Sequence, residues 1–308
     1  MIILEILFLV LGFAMLVKGA DWFVDGATGI ASKFGIPQLV VGLTIVAMGT
    51  SAPEAAVSIT AALKGNAGIA VGNVVGSNIL NILIILGLTG LITSVAVQKS
   101  TLFIEIPYML VVTGVLLVMG VMGNSINFVE GIIFWVMFII YLGYLFVLAK
   151  KGKSEDDKKE DRPLWKLLMW ALLGGVVVVW GSNIAVDSAT AIAQIIGLSE
   201  KFIGLTIVAL GTSLPELVTS VTAAKKGNAD IAIGNIVGSN IFNILFVLGT
   251  SALIIPITFE PSFAIDTIIA IATGVLLWVA TIGKKKLTRP WAIVMLLCYA
   301  AYFVYLLV

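Results

Sequence analysis

Long apolar runs separated by short polar stretches set the pattern of this chain. Runs beginning near residues 2, 37, 68, 102, 127, 165, 202, 230, 262 and 289 each approach the roughly 20 residues that cross about 30 Å of hydrocarbon. They predict an all-α integral membrane protein of ten transmembrane helices. The clearest break is the mixed-charge run from Lys150 to Arg162, KKGKSEDDKKEDR, which cannot enter lipid. A solvated, cytoplasmic linker over 150–164 is expected, with five spans in residues 1–149 before it and five in 165–308 after it.

The two halves repeat each other. Residues 42–87 read GLTIVAMGTSAPEAAVSITAALKGNAGIAVGNVVGSNILNILIILG, and residues 204–249 read GLTIVALGTSLPELVTSVTAAKKGNADIAIGNIVGSNIFNILFVLG, with 33 identities in 46 positions at an offset of 162. Hydrophobicity alone does not align every proline and glutamate. Five spans separate equivalent positions, so the halves are expected to cross the membrane in opposite senses as inverted repeats. That architecture belongs to secondary transporters, whose site lies at the repeat interface near the midplane.

The polar residues inside these spans are of one chemical kind. Ala47, Thr50, Ser51 and Glu54 share a helix face by their spacing, as do Ala209, Thr212, Ser213 and Glu216. Each glutamate follows a proline, Pro53 or Pro215, which has no N–H to donate, so the carbonyls of Gly49 and Gly211 are expected to be free for a ligand. The following spans carry Asn73, Ser77 and Asn81, matched by Asn235, Ser239 and Asn243. The spacings Gly72/Gly76 and Gly234/Gly238 read as ridges for close helix packing. Asn73 and Asn235 fit helix–helix hydrogen bonds and ligation equally well. Together these groups make an oxygen-only set with two carboxylates, which suits a hard cation such as Ca²⁺. Two glutamates in mid-membrane demand bound cations or protons.

Composition narrows the classes further. Hydrophobic residues make up 60% of the 308 and charged residues 11%, with no histidine and a net charge of +1. Nucleic acid is excluded as an expected partner, zinc and copper lack their usual ligands, and an intramembrane enzyme would lack a nucleophile–base pair. No cofactor and no obligatory protein partner are expected, only the lipid bilayer. Cys298, the single cysteine, reads as a small apolar filler. The N-terminus has no basic leader and reads as a retained first span. Basic residues fall fifteen to two between alternate loops; the positive-inside rule then places both termini outside a cell membrane. Asp21, Asp25 and Asp187, near the ends of the first and sixth spans, read as interface charges.

The paired motifs GTSAPE with GNVVGSNILN and GTSLPE with GNIVGSNIFN resemble the two alpha repeats of the calcium/cation antiporter superfamily, most closely those of prokaryotic sodium/calcium exchangers. The resemblance implies that Glu54 and Glu216, with Thr50 and Thr212, bind Ca²⁺ and also serve Na⁺. It implies flanking Na⁺ sites built from Ser51, Ser77, Ser213 and Ser239 with the carbonyls of Ala47 and Ala209. Asn81 would be an amide ligand or a water anchor, and Asn243 is its counterpart. It further implies alternating access, with the first and sixth spans sliding across the rest. Relatives with an aspartate in the last motif would have a third carboxylate where this chain has Asn243, which weakens the expectation of potassium dependence. The expected activity is electrogenic exchange of Ca²⁺ for Na⁺. A proton/calcium antiporter and, in another class, a cation channel are the alternatives.

Overall fold

The computed structural model describes residues 2–65, 67–151, 160–197 and 209–307. The chain is nearly all helical. It contains α1 (Ile2–Phe34), α2 (Gln38–Thr50), α3 (Ala52–Leu63), α4 (Gly68–Ile92), α5 (Thr101–Gly123), α6 (Phe128–Lys151) and α7 (Leu164–Ile195). After them come α8 (Ala209–Thr212), α9 (Leu214–Lys225), α10 (Ala229–Ile254), α11 (Pro261–Ile282) and α12 (Arg289–Leu306). Among the described residues, 8 helices are long and apolar enough to cross a membrane, or 9 when the bent pair α2/α3 is taken as one span. The start expected near residue 202 lies outside the described residues, as do Lys201 and most of the linker.

Among the described residues four two-residue strands qualify the all-α expectation. Val95–Ala96 (β1) pairs antiparallel with Lys286–Leu287 (β4), and Ser125–Ile126 (β2) with Ile257–Thr258 (β3). Each ribbon ties a loop of the first half to one of the second and satisfies backbone groups that leave the helices there. Two residues of strand leave no alternation to read in a sequence.

The core is built on α4 and α10, which are largely enclosed, whereas α1, α6 and α12 face outward over most of their length. Apolar side chains outside the bundle, such as Leu172, Trp180 and Ile140, suit contact with lipid. With no hydrophobic drive between helices in a bilayer, close contact has to come from small residues. Gly234 and Gly238 supply it against α2: a Cβ on Gly238 would sit 2.8 Å from Leu43 Cα. That half of the expected glycine ridge is therefore a packing surface. Among the described residues only Phe263, at 3.8 Å, approaches the Cβ position of Gly72; the segment that the repeat would set against Gly72 and Gly76, near 201–208, lies outside them.

The longest contact joins α1 and α7. Gly12 faces Gly181 and Ala185, Gly19 faces Gly174 and Val178, and Gly26 faces Leu167 and Ala171. Rising numbers on one helix meet falling numbers on the other, so the pair is antiparallel, with glycines seven apart letting backbone touch backbone. Where the linker rejoins the fold it is docked rather than merely solvated. Arg162 binds Glu160 at 2.5 Å and holds its carboxyl down to about 2, and Lys33 donates to the Arg162 carbonyl at 2.8 Å.

Candidate ion-binding site

Both motif segments break where the prolines require it. The helix ends at Thr50, turns through Ser51 and restarts at Ala52 with Pro53 in its first turn, a bend of 50°. Pro215 restarts α9 after Ser213 in the same way. Proline is tolerated in a first turn because that N–H would be unpaired anyway. The break leaves each serine at the bend and each glutamate just beyond it.

The glutamates are then held crosswise. Ser51 Oγ donates to Glu216 Oε1 at 2.7 Å, and Ser213 Oγ donates to Glu54 Oε1 at 3.1 Å. The Thr50 hydroxyl lies beside Glu216 and that of Thr212 beside Glu54. Both carboxyl groups are fully buried, and they are close enough for their charges to repel. Among the described residues neither has an ion pair. Among the described residues Glu54 Oε2 and Glu216 Oε2 have no hydrogen-bond partner. Two buried carboxylates in that condition are stable only with a cation or proton between or beside them.

The amides complete the pattern. Asn78 and Asn240 each donate Nδ2 to the other's backbone carbonyl at 3.1 Å. Their own oxygens accept from Asn81 Nδ2 at 2.9 Å and Asn243 Nδ2 at 3.1 Å. With its nitrogen so engaged, each of Asn81 and Asn243 keeps a buried Oδ1 that has no partner among the described residues. Both residues also open π-helical turns, 81–86 and 243–248, a local widening frequent at functional sites. The free oxygens of these four residues are thus two carboxylates and two amides, each with a mate 162 residues away. Among the described residues no three acidic or thiol side chains gather, so neutral oxygens must supply the rest of any coordination shell.

Other expected residues fall into place unequally. Ser239 Oγ donates to the Ala47 carbonyl at 3.4 Å, joining two of the groups expected at the flanking sites. Ser77 lies 3.4 Å from Ser213 Oγ, while Ala209 stands at the edge of the described residues. Asn73 donates to Ser58 Oγ at 2.9 Å and Asn235 to Ser220 Oγ at 2.9 Å. Both amide nitrogens therefore tie the glutamate helix to its neighbour. The expectation for Gly211 is corrected: its carbonyl accepts from Ser182 Oγ on α7 at 2.8 Å, because a carbonyl freed in a membrane interior takes the nearest donor. Asp21 and Asp25 are half-buried and paired with Lys226.

Asn78 and Asn240 are the functional residues that sequence reasoning passed over. Their signal was the GSN triplet common to both motifs, but the i, i+4 face running through Asn73, Ser77 and Asn81 does not include them. Glu105 was also missed. This third buried carboxyl lies away from the site on α5 and accepts from the Tyr144 hydroxyl of α6. Asn240→Ala removes the acceptor that orients Asn81, and loss of such a supporting contact lowers metal affinity by about 10- to 100-fold. A drop of that size in apparent Ca²⁺ affinity, measured by ⁴⁵Ca²⁺ binding with the fold intact by circular dichroism, is the expected result.

The chain is similar throughout its length to proteins of one family. A family model described as sodium/calcium exchanger protein matches residues 4–147 and 166–308. The inner membrane protein YrbG of Escherichia coli K12 is 36% identical, covering 88% of this chain and 87% of its own. The sodium/calcium exchanger MaX1 of Methanosarcina acetivorans is 33% identical over 99% of both chains. A solved structure of the sodium-calcium exchanger NCX_Mj, soaked with 10 mM Na⁺ and 10 mM Sr²⁺, superposes with a TM-score of 0.87 at 33% identity, covering 99% of each chain.

Proposed function

The chain belongs to the sodium/calcium exchanger family, a family of multi-pass membrane antiporters and not of enzymes, and from that premise we propose how its own residues exchange one cation for another. Ca²⁺ binds between Glu54 and Glu216, and Na⁺ occupies the same oxygens in turn. One observation carries this reading above the others. Each glutamate and each of Asn81 and Asn243 keeps one buried oxygen free while its other polar atom is held by the opposite half. Ca²⁺ takes six to eight oxygens at about 2.3–2.6 Å, and Thr50, Thr212, Ser51 and Ser213 supply further lone pairs, since a hydroxyl that donates still accepts. Ser77 and Ser239 with the carbonyls of Ala47 and Ala209 form the flanking Na⁺ positions.

The two carboxylates carry two negative charges, which one Ca²⁺ neutralises. Three Na⁺ would leave the site one charge positive, so exchange at that ratio is electrogenic. Each charge moved across 100 mV is worth about 2.3 kcal/mol. A site emptied of cations holds two bare carboxylates in a low-dielectric interior, and this cost opposes switching without cargo. That penalty makes the exchange obligatory.

The scaffold for switching is ten spans in two inverted repeats, 1–149 and 165–308, joined by the cytoplasmic linker 150–164, with both termini extracellular. In support, the reciprocal bonds across the site recur at the repeat offset, and the ribbons join loops of the same parity. The glycine-lined contact of α1 with α7 has few side chains to interlock, which supports sliding of this pair as the alternating-access step.

The test is ⁴⁵Ca²⁺ uptake into proteoliposomes loaded with Na⁺, against Na⁺-free and acid-inside vesicles, with the membrane potential clamped at two values. Uptake that needs internal Na⁺ and changes with potential is expected. Uptake driven only by the proton gradient would move the assignment to proton/calcium antiport, and conductance without counter-ion dependence would make the protein a channel.

A further inference from the structure

Lys226, at the end of α9, reaches α1. Its Nζ lies 2.8 Å from Asp25 Oδ1 and 3.2 Å from Asp21 Oδ1, and it donates to the Asp21 carbonyl at 3.1 Å. Beside it, Asn228 Nδ2 donates to Thr28 Oγ1 at 3.2 Å. These contacts pin α1 to the α9 end at one face of the membrane. The repeat offset of 162 converts Lys226 into Lys64 and Asp25 into Asp187, so the same charges stand where α3 ends and where α7 nears its end.

There the contact is undone. Lys64 and Asp187 are both exposed, and among the described residues neither takes part in an ion pair. Among the described residues Thr190, the counterpart of Thr28, has a buried hydroxyl with no partner; Asn66, the counterpart of Asn228, lies outside them. The helices differ in the same sense: α1 packs along α9, whereas α7 makes no comparable contact with α3. Identical residue types related by the repeat are thus engaged at one face and released at the other. Chance surface pairing gives no reason for sequence-matched charges to split in this way.

The geometry points to a pair of alternating latches: Lys226 with Asp21 and Asp25 closes the cytoplasmic face in this conformation, and Lys64 with Asp187 closes the extracellular face in the opposite one. This rests on the alternating-access reading above. The latches are unequal, because Asp21 corresponds to Asn183. Lys226 meets two carboxylates and Lys64 would meet one, so the resting equilibrium favours the state closed to the cytoplasm. These residues stand apart from the oxygen set around Glu54 and Glu216; they position the helices that expose it.

Cysteine pairs in a Cys298→Ser background test the idea, with Na⁺-driven ⁴⁵Ca²⁺ exchange measured in the same vesicles. Asp25→Cys/Lys226→Cys and Lys64→Cys/Asp187→Cys should each form a disulfide in part of the population. Each disulfide should stop exchange, and reduction should restore it. In the Asp25→Cys/Lys226→Cys protein, adding Asn183→Asp gives the distant Lys64 a second carboxylate. Exposed ion pairs carry little energy, and a shift of up to about fivefold is their scale, so disulfide yield should fall a few-fold, while Asn183→Ala leaves it unchanged. A merely structural Asn183 would not alter cross-linking at the opposite face. If the Cys298→Ser parent exchanges but Lys64→Cys/Asp187→Cys never cross-links, or Asn183→Asp leaves the yield at the other face unmoved, the latches are overturned and the exchange reading stands. A parent without exchange overturns both.

Discussion

Glu54→Gln and Glu216→Gln should each reduce Na⁺-driven Ca²⁺ uptake by two orders of magnitude or more, with the protein still folded. Glutamine preserves the acceptor for Ser213 or Ser51 and fills the same space, so the crossed bonds at 3.1 and 2.7 Å survive. The charge does not. Removing one partner from a buried charge pair costs about 3–5 kcal/mol, and 1.4 kcal/mol is tenfold, which sets the expected loss. The same argument predicts unequal effects on the two faces of stability. Without cation, the wild type holds two carboxylates that repel each other, so each variant should be at least as resistant to heat as the ion-free wild type, yet gain little from added Ca²⁺. Uptake kinetics and unfolding temperatures with and without Ca²⁺ check both halves of this expectation.

Gly174→Val should be the most damaging change outside the site. A Cβ at Gly174 would lie 2.4 Å from Phe23 N and 2.8 Å from Gly19 O, which are backbone atoms of α1. Backbone in a helix cannot step aside alone, so the whole α1/α7 contact must open, including the reciprocal approaches at Gly12, Gly19, Gly26 and Gly181. Overpacking even of adaptable cores costs about 1–3 kcal/mol, and this site has no adaptable side chain to absorb it. A lower yield of folded protein and exchange below a tenth of wild type are expected. Gly175→Val supplies the control one residue away: its Cβ would meet only the Phe23 ring, at 3.7 and 3.8 Å, and exchange should persist. Equal damage from both would mean that glycine serves helix flexibility here and not close approach.

The internal repeat made the heart of the site legible before any coordinates. Pro53 and Pro215 announced broken helices, and glutamates directly after them in apolar runs had few structural explanations. What the residues could not announce was who holds whom. Asn78 and Asn240 act on partners about 160 residues away, and helical spacing reports only neighbours on one face of one helix. The carbonyl of Gly211 illustrates the same limit from the other side. Its loss of a local donor was readable from Pro215, but the arrival of Ser182 from α7 depends on packing between spans. The α1/α7 contact lies between these cases. Glycines at 12, 19 and 26 and at 174 and 181 repeat every seven residues, a visible period, yet nothing in either stretch names the other as its partner. Glu105 went unread because a single carboxylate early in a span passes for an interface charge until Tyr144 is seen beside it.

Equilibrium ⁴⁵Ca²⁺ binding to the purified protein, titrated with Na⁺ at fixed pH and repeated for Glu54→Gln and Glu216→Gln, tests most directly that one oxygen site serves both ions. The structure predicts complete displacement of Ca²⁺ by Na⁺ in the wild type and loss of high-affinity binding in both variants. Ca²⁺ that stays bound at saturating Na⁺, or that binds both variants as tightly as the wild type, would contradict it.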